Sequence, residues 1–268
     1  MSGQVAGKVA VITGGTSGIG EATVELFVEQ GARVVFVGRN AVKGAEIADR
    51  VGTNAVFLQG DVTREDDIKA AIDAAVERFG RLDCLFSNAG GPTPGGMEDV
   101  TPGQFHYAMD LLLGSVIFGI KHAAPVMKAQ GRGVIVNNSS VAALRTHMGE
   151  YLYSAAKAAV TQITRVAGME LAPHGVTVNS VSPGGIATPI FFGGSGRARG
   201  MADDHVAASM AKLERNLATA TPLKRSGMPR DIAHGVLYLA SDAGAYVNCH
   251  DLVIDAGMTA AGRSNFAV

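Results

Sequence analysis

The chain has no tryptophan and only two cysteines, Cys84 and Cys249. They show no C-x-x-C spacing and no histidines at metal-like intervals, so neither a zinc site nor a disulfide framework is supported, and both read as buried, reduced thiols. An excess of one charge is also missing: 23 Lys and Arg stand against 24 Asp and Glu, for a formal net charge of -1. That balance gives no electrostatic footprint for nucleic acid. Arg197 and Arg199 form one local basic cluster, but they lie among glycines and read as a solvated loop. Long hydrophobic runs are absent too. The most apolar stretch, Leu111 to Ile120, is about ten residues between Asp110 and Lys121, too short to cross a bilayer, so no membrane association is expected. The start Met1-Ser-Gly-Gln4 has no charged and apolar leader, which sets the expectation of a cytoplasmic protein.

What is present is apolar bulk arranged in short pieces. With 268 residues and 47% hydrophobic composition, the chain can bury one large core, and no linker divides it into domains. Strand candidates are Val9 to Thr13, Arg33 to Val37, Ala55 to Gln59, Cys84 to Ser87, Gly133 to Asn138, Thr177 to Val181 and Leu252 to Ile254. They are nearly continuous in apolar residues, as strands buried on both faces are. Helical patterns begin between them near Ile19, Val42, Glu65, Pro102, Tyr151, Met201 and Pro229. The expected fold is a single α/β domain, a doubly wound, mainly parallel seven-stranded sheet with helices on both faces. Glu65-Asp66-Asp67 opens its helix with charge that suits the dipole; Thr63 is the expected N-cap and Gly80 the stop.

Two groups of residues carry chemistry. Lys8-Val-Ala-Val-Ile-Thr13 runs straight into Gly14-Gly-Thr-Ser-Gly18-Ile-Gly20 and then a helix, the layout of a phosphate cradle. Its spacing departs from the common G-x-G-x-x-G fingerprint. Farther along, Tyr153 and Lys157 lie four apart in an Ala-rich helical stretch and so share a face, while Tyr151 points elsewhere. A free phenol ionises near about 10, so one that moves protons at neutral pH needs a nearby cation, and Lys157 can be that cation. Ser140 follows the strand Gly133 to Asn138, at the strand end where open parallel sheets place ligand chemistry.

Together these residues resemble the short-chain dehydrogenase/reductase family, from about Gly7 to Gly257. The pieces stand in family order: Thr13 to Gly20, Gly60-Asp61-Val62, Asn88-Ala89-Gly90, Ser140, Tyr153 with Lys157, then Val178-Asn-Ser-Val-Ser-Pro183-Gly184 and Thr188. The resemblance implies hydride transfer between a nicotinamide cofactor and an alcohol or carbonyl. In it Tyr153 is the acid/base, Lys157 lowers its pKa and holds the ribose, and Ser140 steadies the substrate oxygen. Cofactor contacts are implied for Gly14, Thr16, Ser17, Gly18, Ile19 and Gly20, for Asp61 and Val62, and for Asn88, Ala89 and Gly90. Pro183, Gly184, Ile186 and Thr188 are implied beside the nicotinamide. A homotetramer or homodimer built on the helices near Pro102 and Tyr151 is implied as well. One position departs from the family: where relatives carry an Asn that helps hold a water near the catalytic Lys, this chain has Leu112, so that either the helix backbone holds the water with Ser115, one turn on, supplying a hydroxyl, or the proton path is impaired and the enzyme is slow or non-catalytic.

Cofactor choice turns on the end of the second strand, Val34-Val-Phe-Val-Gly38-Arg39-Asn40. No carboxylate is there to accept from a ribose 2′-OH, and the Arg39 guanidinium suits a 2′-phosphate, so NADP(H) is favoured over NAD(H). Residues 190–225 interrupt the βα alternation and form the expected substrate lid, with Phe191 and Phe192, a glycine-rich hinge, and the stripe Val206, Met210, Leu213 and Leu217. With Met97, Leu144 and Met148 this points to a mainly apolar, cyclic or aromatic secondary alcohol or ketone as the small-molecule substrate. His147 is given no role. A β-ketoacyl-thioester reductase and a non-catalytic nucleotide-binding regulator remain as alternatives.

Overall fold

The computed structural model describes residues 3–193 and 203–260. Seven strands, β1 (Val9–Thr13), β2 (Arg33–Gly38), β3 (Ala55–Gln59), β4 (Cys84–Ser87), β5 (Gly133–Asn138), β6 (Val176–Pro183) and β7 (Asp251–Ile254), form one sheet in the order β3-β2-β1-β4-β5-β6-β7. Every pairing is parallel. The strands match the expected segments closely; β6 runs on to Pro183 because Ser182 and Pro183 still register against Val253 and Ile254 of the edge strand.

The helices are α1 (Gly18–Glu29), α2 (Ala41–Val51), α3 (Glu65–Phe79), α4 (Pro102–Met109), α5 (Ser115–Gln130), α6 (Tyr151–Leu171), α7 (Asp203–Ala220) and α8 (Pro229–Ala240). Alternation along each strand sends side chains to two separate cores. Ala10, Ile12, Val34, Phe36 and Phe86 face α1 and α8, meeting Val24, Phe27, Ile232 and Val236. Val9, Val11, Val35, Leu85 and Ile135 face α3, α5 and α6, meeting Ile68, Ile72, Met127 and Leu171. This two-sided burial is what the apolar strands anticipate.

Local signals set the helix ends, with one correction. Thr101 caps α4 in a reciprocal box with Gln104, and Gly80 and Gly131 close α3 and α5 in left-handed conformations with φ 78° and 67°. Thr63 does not cap α3. Arg64 holds that position without a side-chain bond, while the Thr63 hydroxyl and N–H both donate to Asp61 Oδ1 at 3.0 and 3.1 Å. A carboxylate two residues upstream is the stronger acceptor and closes a turn there instead. The expected helix start at Met201 lies outside the described residues.

Residues 102–130 form one continuous helical run of 29 residues, apolar and long enough by composition to cross a membrane. The sequence shows only a ten-residue apolar core of it because polar residues punctuate the rest. Its inner face, with Val116, Gly119, Ala123 and Met127, is packed in the protein. Of the cysteines, Cys84 is buried, and burial pushes its thiol up to about 12. Cys249 is only half-buried: it sits at φ 58° in the turn leading to edge strand β7, where one side faces solvent.

At the opposite end of the sheet from the strand C-termini, Asp83 clamps β1 to β4. Its buried carboxylate accepts from the Val9 N–H at 2.9 Å and from Arg81 Nε at 2.6 Å, with a second Arg81 contact on its other oxygen. Asp83→Ala leaves a buried N–H and a half-buried guanidinium unpaired, so stability should fall by about 2–4 kcal/mol in denaturant titrations. Cofactor affinity should be unchanged, because the clamp lies away from the strand C-termini.

Candidate active site

The strand order reverses between β1 and β4, and the crevice outside their C-terminal ends is where an open parallel sheet binds ligands. The loop after β1 forms one wall. Gly14 and Gly18 adopt φ 67° and 55°, left-handed values that carry the chain around into α1 without a Cβ penalty. Ser17 is the N-cap of α1 but makes no side-chain cap bond. The first N–H groups of the helix, with the positive end of its dipole, are thereby left for an anion.

The cleft is lined by Gly14, Thr16, Ser17, Gly18 and Ile19 from this loop, by Arg39, Asn40, Asp61 and Val62 after β2 and β3, and by Asn88, Ala89 and Gly90 after β4. At its other end stand Asn138, Tyr153, Lys157, Thr188, Pro189 and Ile190. A glycine cradle, a free helix N-terminus and a long cleft fit a dinucleotide.

The structure sorts the expected contacts. Gly20 does not line the cleft: a Cβ there would lie 2.2 Å from the Gly14 carbonyl oxygen, so this glycine lets α1 close against its own loop. Pro183 ends β6 buried, Gly184 packs against Asp255, and Ile186 faces a second cavity with Gly227. Of that segment Thr188 lines the cleft.

Tyr153 and Lys157 share one face of α6, with Lys157 Nζ 5.6 Å from the phenol ring centroid. Tyr151 is exposed on the other side. Ser140 is buried and caps a short 3-10 turn, its Oγ accepting from the Ala142 N–H at 3.1 Å. The sequence leads one to expect Lys157 to lower the Tyr153 pKa. In the folded chain burial is the larger effect and raises it, while the Ser140 hydroxyl pulls it down. Burial also lowers the Lys157 ammonium to about 8. Lys157 does not aim at the phenol oxygen; Nζ donates to the main-chain carbonyl of Asn138 at 2.6 Å.

Leu112 is fully buried inside a π-helical turn, Asp110–Gly114, between α4 and α5. In that turn the Ser115 N–H bonds the Asp110 carbonyl, one residue farther back than an α-helix allows. The Ser115 hydroxyl donates to the Leu111 carbonyl at 2.7 Å. It therefore satisfies a carbonyl loosened by the wide turn, and its donor is not aimed at Lys157. A Cβ on Gly90 would lie 3.4 Å from Leu112 Cδ2 and 4.0 Å from Lys157 Nζ, which makes Leu112 an apolar wall of the lysine's surroundings.

At the far end, Arg39 is half-exposed, with Nη1 3.9 Å from Asp61 Oδ2. A Cβ on Gly38 would meet the Thr16 side chain at 2.5 Å, so a carboxylate cannot stand at the end of β2 while Thr16 keeps its place.

Of the apolar residues expected near the substrate, Met97, Leu144 and Phe191 are exposed, and Met148 and Phe192 half-buried. In α7, Val206, Met210 and Leu213 are half-buried and Leu217 is buried, packing over Gly185. Arg197, Arg199 and most of the expected hinge lie outside the described residues. Asn138 escaped the sequence reading altogether; the signal was a pair of amides, Asn137 and Asn138, ending an otherwise apolar strand.

Comparison with known proteins agrees with this geometry. A family model described as "Enoyl-(Acyl carrier protein) reductase" matches residues 14–259. Momilactone A synthase of Oryza sativa subsp. japonica is 40% identical over 264 residues, covering 97% of this chain and 93% of that protein. A 2,5-dichloro-2,5-cyclohexadiene-1,4-diol dehydrogenase of Sphingobium indicum is 36% identical over 260 residues, covering 96% and 98%. (+)-Borneol dehydrogenase 2 of Salvia officinalis is 34% identical over 261 residues, covering 96% and 90%.

Burying Lys157 has a measurable consequence. Holding its ammonium at about 8 costs the fold about 3 kcal/mol at neutral pH. The unfolded chain keeps the proton more tightly, so this cost is full below about pH 8 and fades as pH rises to the ordinary lysine value near 10.5. Lys157→Met removes the charge but unpairs the Asn138 carbonyl, which returns about 1–2 kcal/mol. Denaturant titrations should find the variant more stable by about 1–2 kcal/mol at pH 7, with the gain gone near pH 10. A loss of stability at pH 7 would show that the lysine is not buried as a charge.

Proposed function

The chain belongs to the short-chain dehydrogenase/reductase family as an NAD(P)-dependent oxidoreductase, and we propose that it moves a hydride between NADP(H) and a mainly apolar, cyclic or aromatic secondary alcohol or ketone. The observation that carries this reading is Tyr153 and Lys157 lining one end of a cleft whose other end is a glycine cradle, with the Ser140 hydroxyl hydrogen-bonded to Tyr153. The bound nicotinamide supplies the hydride donor or acceptor. Tyr153 moves the proton at the substrate oxygen, and the Ser140 hydroxyl steadies that oxygen. Lys157 holds a ribose hydroxyl and, while charged, favours the phenolate against the burial that opposes it. The N–H groups at the start of α1 take the phosphates.

Support for the substrate class comes from the exposed or half-buried apolar side chains Met97, Leu144, Met148, Phe191 and Phe192, in the segments that follow the cleft residue Gly90, Ser140 and the cleft residue Thr188. A relative named for a cyclohexadiene diol agrees with it. Residues 190–225 act as the lid in a single domain. Arg39, with no carboxylate beside it on β2, is assigned to the 2′-phosphate of NADP(H). Asp61 contacts Arg39 and competes with that phosphate, which tempers the preference. The protein is assigned to the cytoplasm and to a homodimer or homotetramer, joined through the outer faces of α4, α5 and α6, where Phe105, Ile117, Val166 and Met169 are exposed.

A second reading, reduction of an acyl-thioester ketone, is favoured by the acyl-carrier wording of the family description. Nicotinamide absorbance with both cofactors, measured against cyclic, aromatic and acyl-thioester alcohols and ketones, separates the two. Turnover confined to thioesters replaces the first reading. Binding of cofactor with no turnover on any of them favours a regulator.

Tyr153→Phe should keep fold and cofactor affinity and lose turnover by about three orders of magnitude, whereas Tyr151→Phe should change it little. Equal losses from both would remove the assignment. Arg39→Leu should weaken NADP(H) by about 1.5–3 kcal/mol in fluorescence titrations and leave NAD(H) nearly unchanged. Tighter binding of NAD(H) than NADP(H) by the wild type would sink the role given to Arg39.

A further inference from the structure

Asn138 closes β5 two residues before Ser140 and lines the cleft. Its amide Nδ2 donates to Asn88 Oδ1 at 2.9 Å, and its main-chain carbonyl accepts from Lys157 Nζ at 2.6 Å. The way round of both amides is fixed from the glycine loop. Asn88 Nδ2 donates to the carbonyls of Thr13 at 3.0 Å and Gly14 at 3.4 Å, so its Oδ1 is the atom that faces Asn138. The N–H groups of Asn88 and Ala89 both reach the Thr13 hydroxyl, at 3.0 and 3.1 Å. A chain of hydrogen bonds thus runs from the end of β1 through β4 and β5 to α6.

Two further facts bear on what this chain does. Asn138 Oδ1 is buried with no partner among the described residues. An amide left half-satisfied is a cost to folding, so stability alone does not account for it. Near Lys157 stands Leu112, which offers no hydrogen bond: a Cβ on Gly90 would lie 3.4 Å from Leu112 Cδ2 and 4.0 Å from Lys157 Nζ. No ion pair to Lys157 occurs among the described residues. The Asn138 carbonyl is therefore the polar contact that seats the ammonium.

We propose that Asn138 is a positioning residue: its side chain ties the end of β5 to Asn88 while its carbonyl seats Lys157, so that the glycine loop and the catalytic lysine are held in one register. The proposal rests on the roles given above to Tyr153 and Lys157 and not on the choice of substrate. Any alcohol that the wild type oxidises serves for the test.

Three variants separate positioning from simple support. Asn138→Ala removes the tie, Asn138→Asp replaces the donor by a carboxylate of the same shape, and Asn138→Thr returns a donor of shorter reach. Among the described residues the ionisable groups lining the cleft are Arg39, Asp61, Tyr153 and Lys157. A carboxylate at Asn138 favours the Lys157 ammonium and disfavours the Tyr153 phenolate. The pH at which alcohol oxidation reaches half its limiting rate should accordingly move up in Asn138→Asp by about half a unit or more. In Asn138→Ala kcat should fall about tenfold to a hundredfold, with KM for the alcohol changed less than about threefold, and Asn138→Thr should recover part of kcat. Cofactor dissociation constants from fluorescence titration, which need no turnover, should weaken by about threefold or more in Asn138→Ala. The proposal is overturned if kcat, pH profile and cofactor affinity all stay within about twofold of wild type in the variants that fold, whatever their melting temperatures. If Asn138→Ala does not fold, the Asp and Thr variants decide alone. Tyr153→Phe, run alongside, keeps the two readings apart: full turnover there removes the roles of Tyr153 and Lys157, whereas its loss with unaffected Asn138 variants removes only this proposal.

Discussion

The rest of the site depends on the close approach of the loop after β1 to the end of β4. Asn88 is the residue that makes this approach possible, because its amide satisfies carbonyls of Thr13 and Gly14 that the sheet no longer pairs. Buried backbone acceptors at a strand end must find a donor, and a side-chain amide from the neighbouring strand is one that brings geometry with it. Gly20 completes the approach by letting α1 lie on the Gly14 carbonyl. With the loop fixed, the helix N-terminus faces the crevice, and Ser17 leaves its N–H groups uncapped. The phosphate end of the cleft and the lysine end are then two ends of one bonded structure.

The site also works against its own solvent. Burial opposes the charged forms of both Tyr153 and Lys157, while the chemistry assigned to them uses phenolate and ammonium together. Two buried groups that each resist ionisation ionise more readily as a pair, since each charge is the other's counterion. This ties the protonation of the site to whatever brings the two charges together.

Much of the architecture was legible in the sequence. Val9 to Thr13, Arg33 to Val37 and Gly133 to Asn138 are apolar on both faces, and only a sheet covered by helices on both sides accommodates such strands. The spacing of Tyr153 and Lys157 sufficed to place them on one face, because helical periodicity is local. Legibility failed where the answer depends on three dimensions. Thr63 looked like a cap, and only the folded turn shows Asp61 taking its hydroxyl. Gly20 looked like a ligand-facing glycine, yet its constraint is the distance to Gly14. The sign of the Tyr153 shift could not be read from a neighbouring lysine, since desolvation is set by residues distant in sequence. Asn138 was invisible for the same reason: an amide ending a strand means little until its partners on β4 and α6 are known.

The π-helical turn at Asp110–Gly114 has a bearing on how this chain can change. A π turn is an α-helix carrying one residue more than its pitch requires, and each residue of an α-helix advances the surface by about 100°. The extra residue therefore puts α4 and α5 out of phase, so that the capped, solvent-facing face of α4 and the sheet-facing face of α5 belong to one rod without being one stripe. Shortening the turn by a residue would bring the two back into phase, rotating Phe105 and Tyr107 relative to the core and taking Leu112 off the wall beside Lys157. Point substitutions at Leu112 leave that phase intact, whereas a single-residue deletion there alters the outer surface and the lysine's surroundings together.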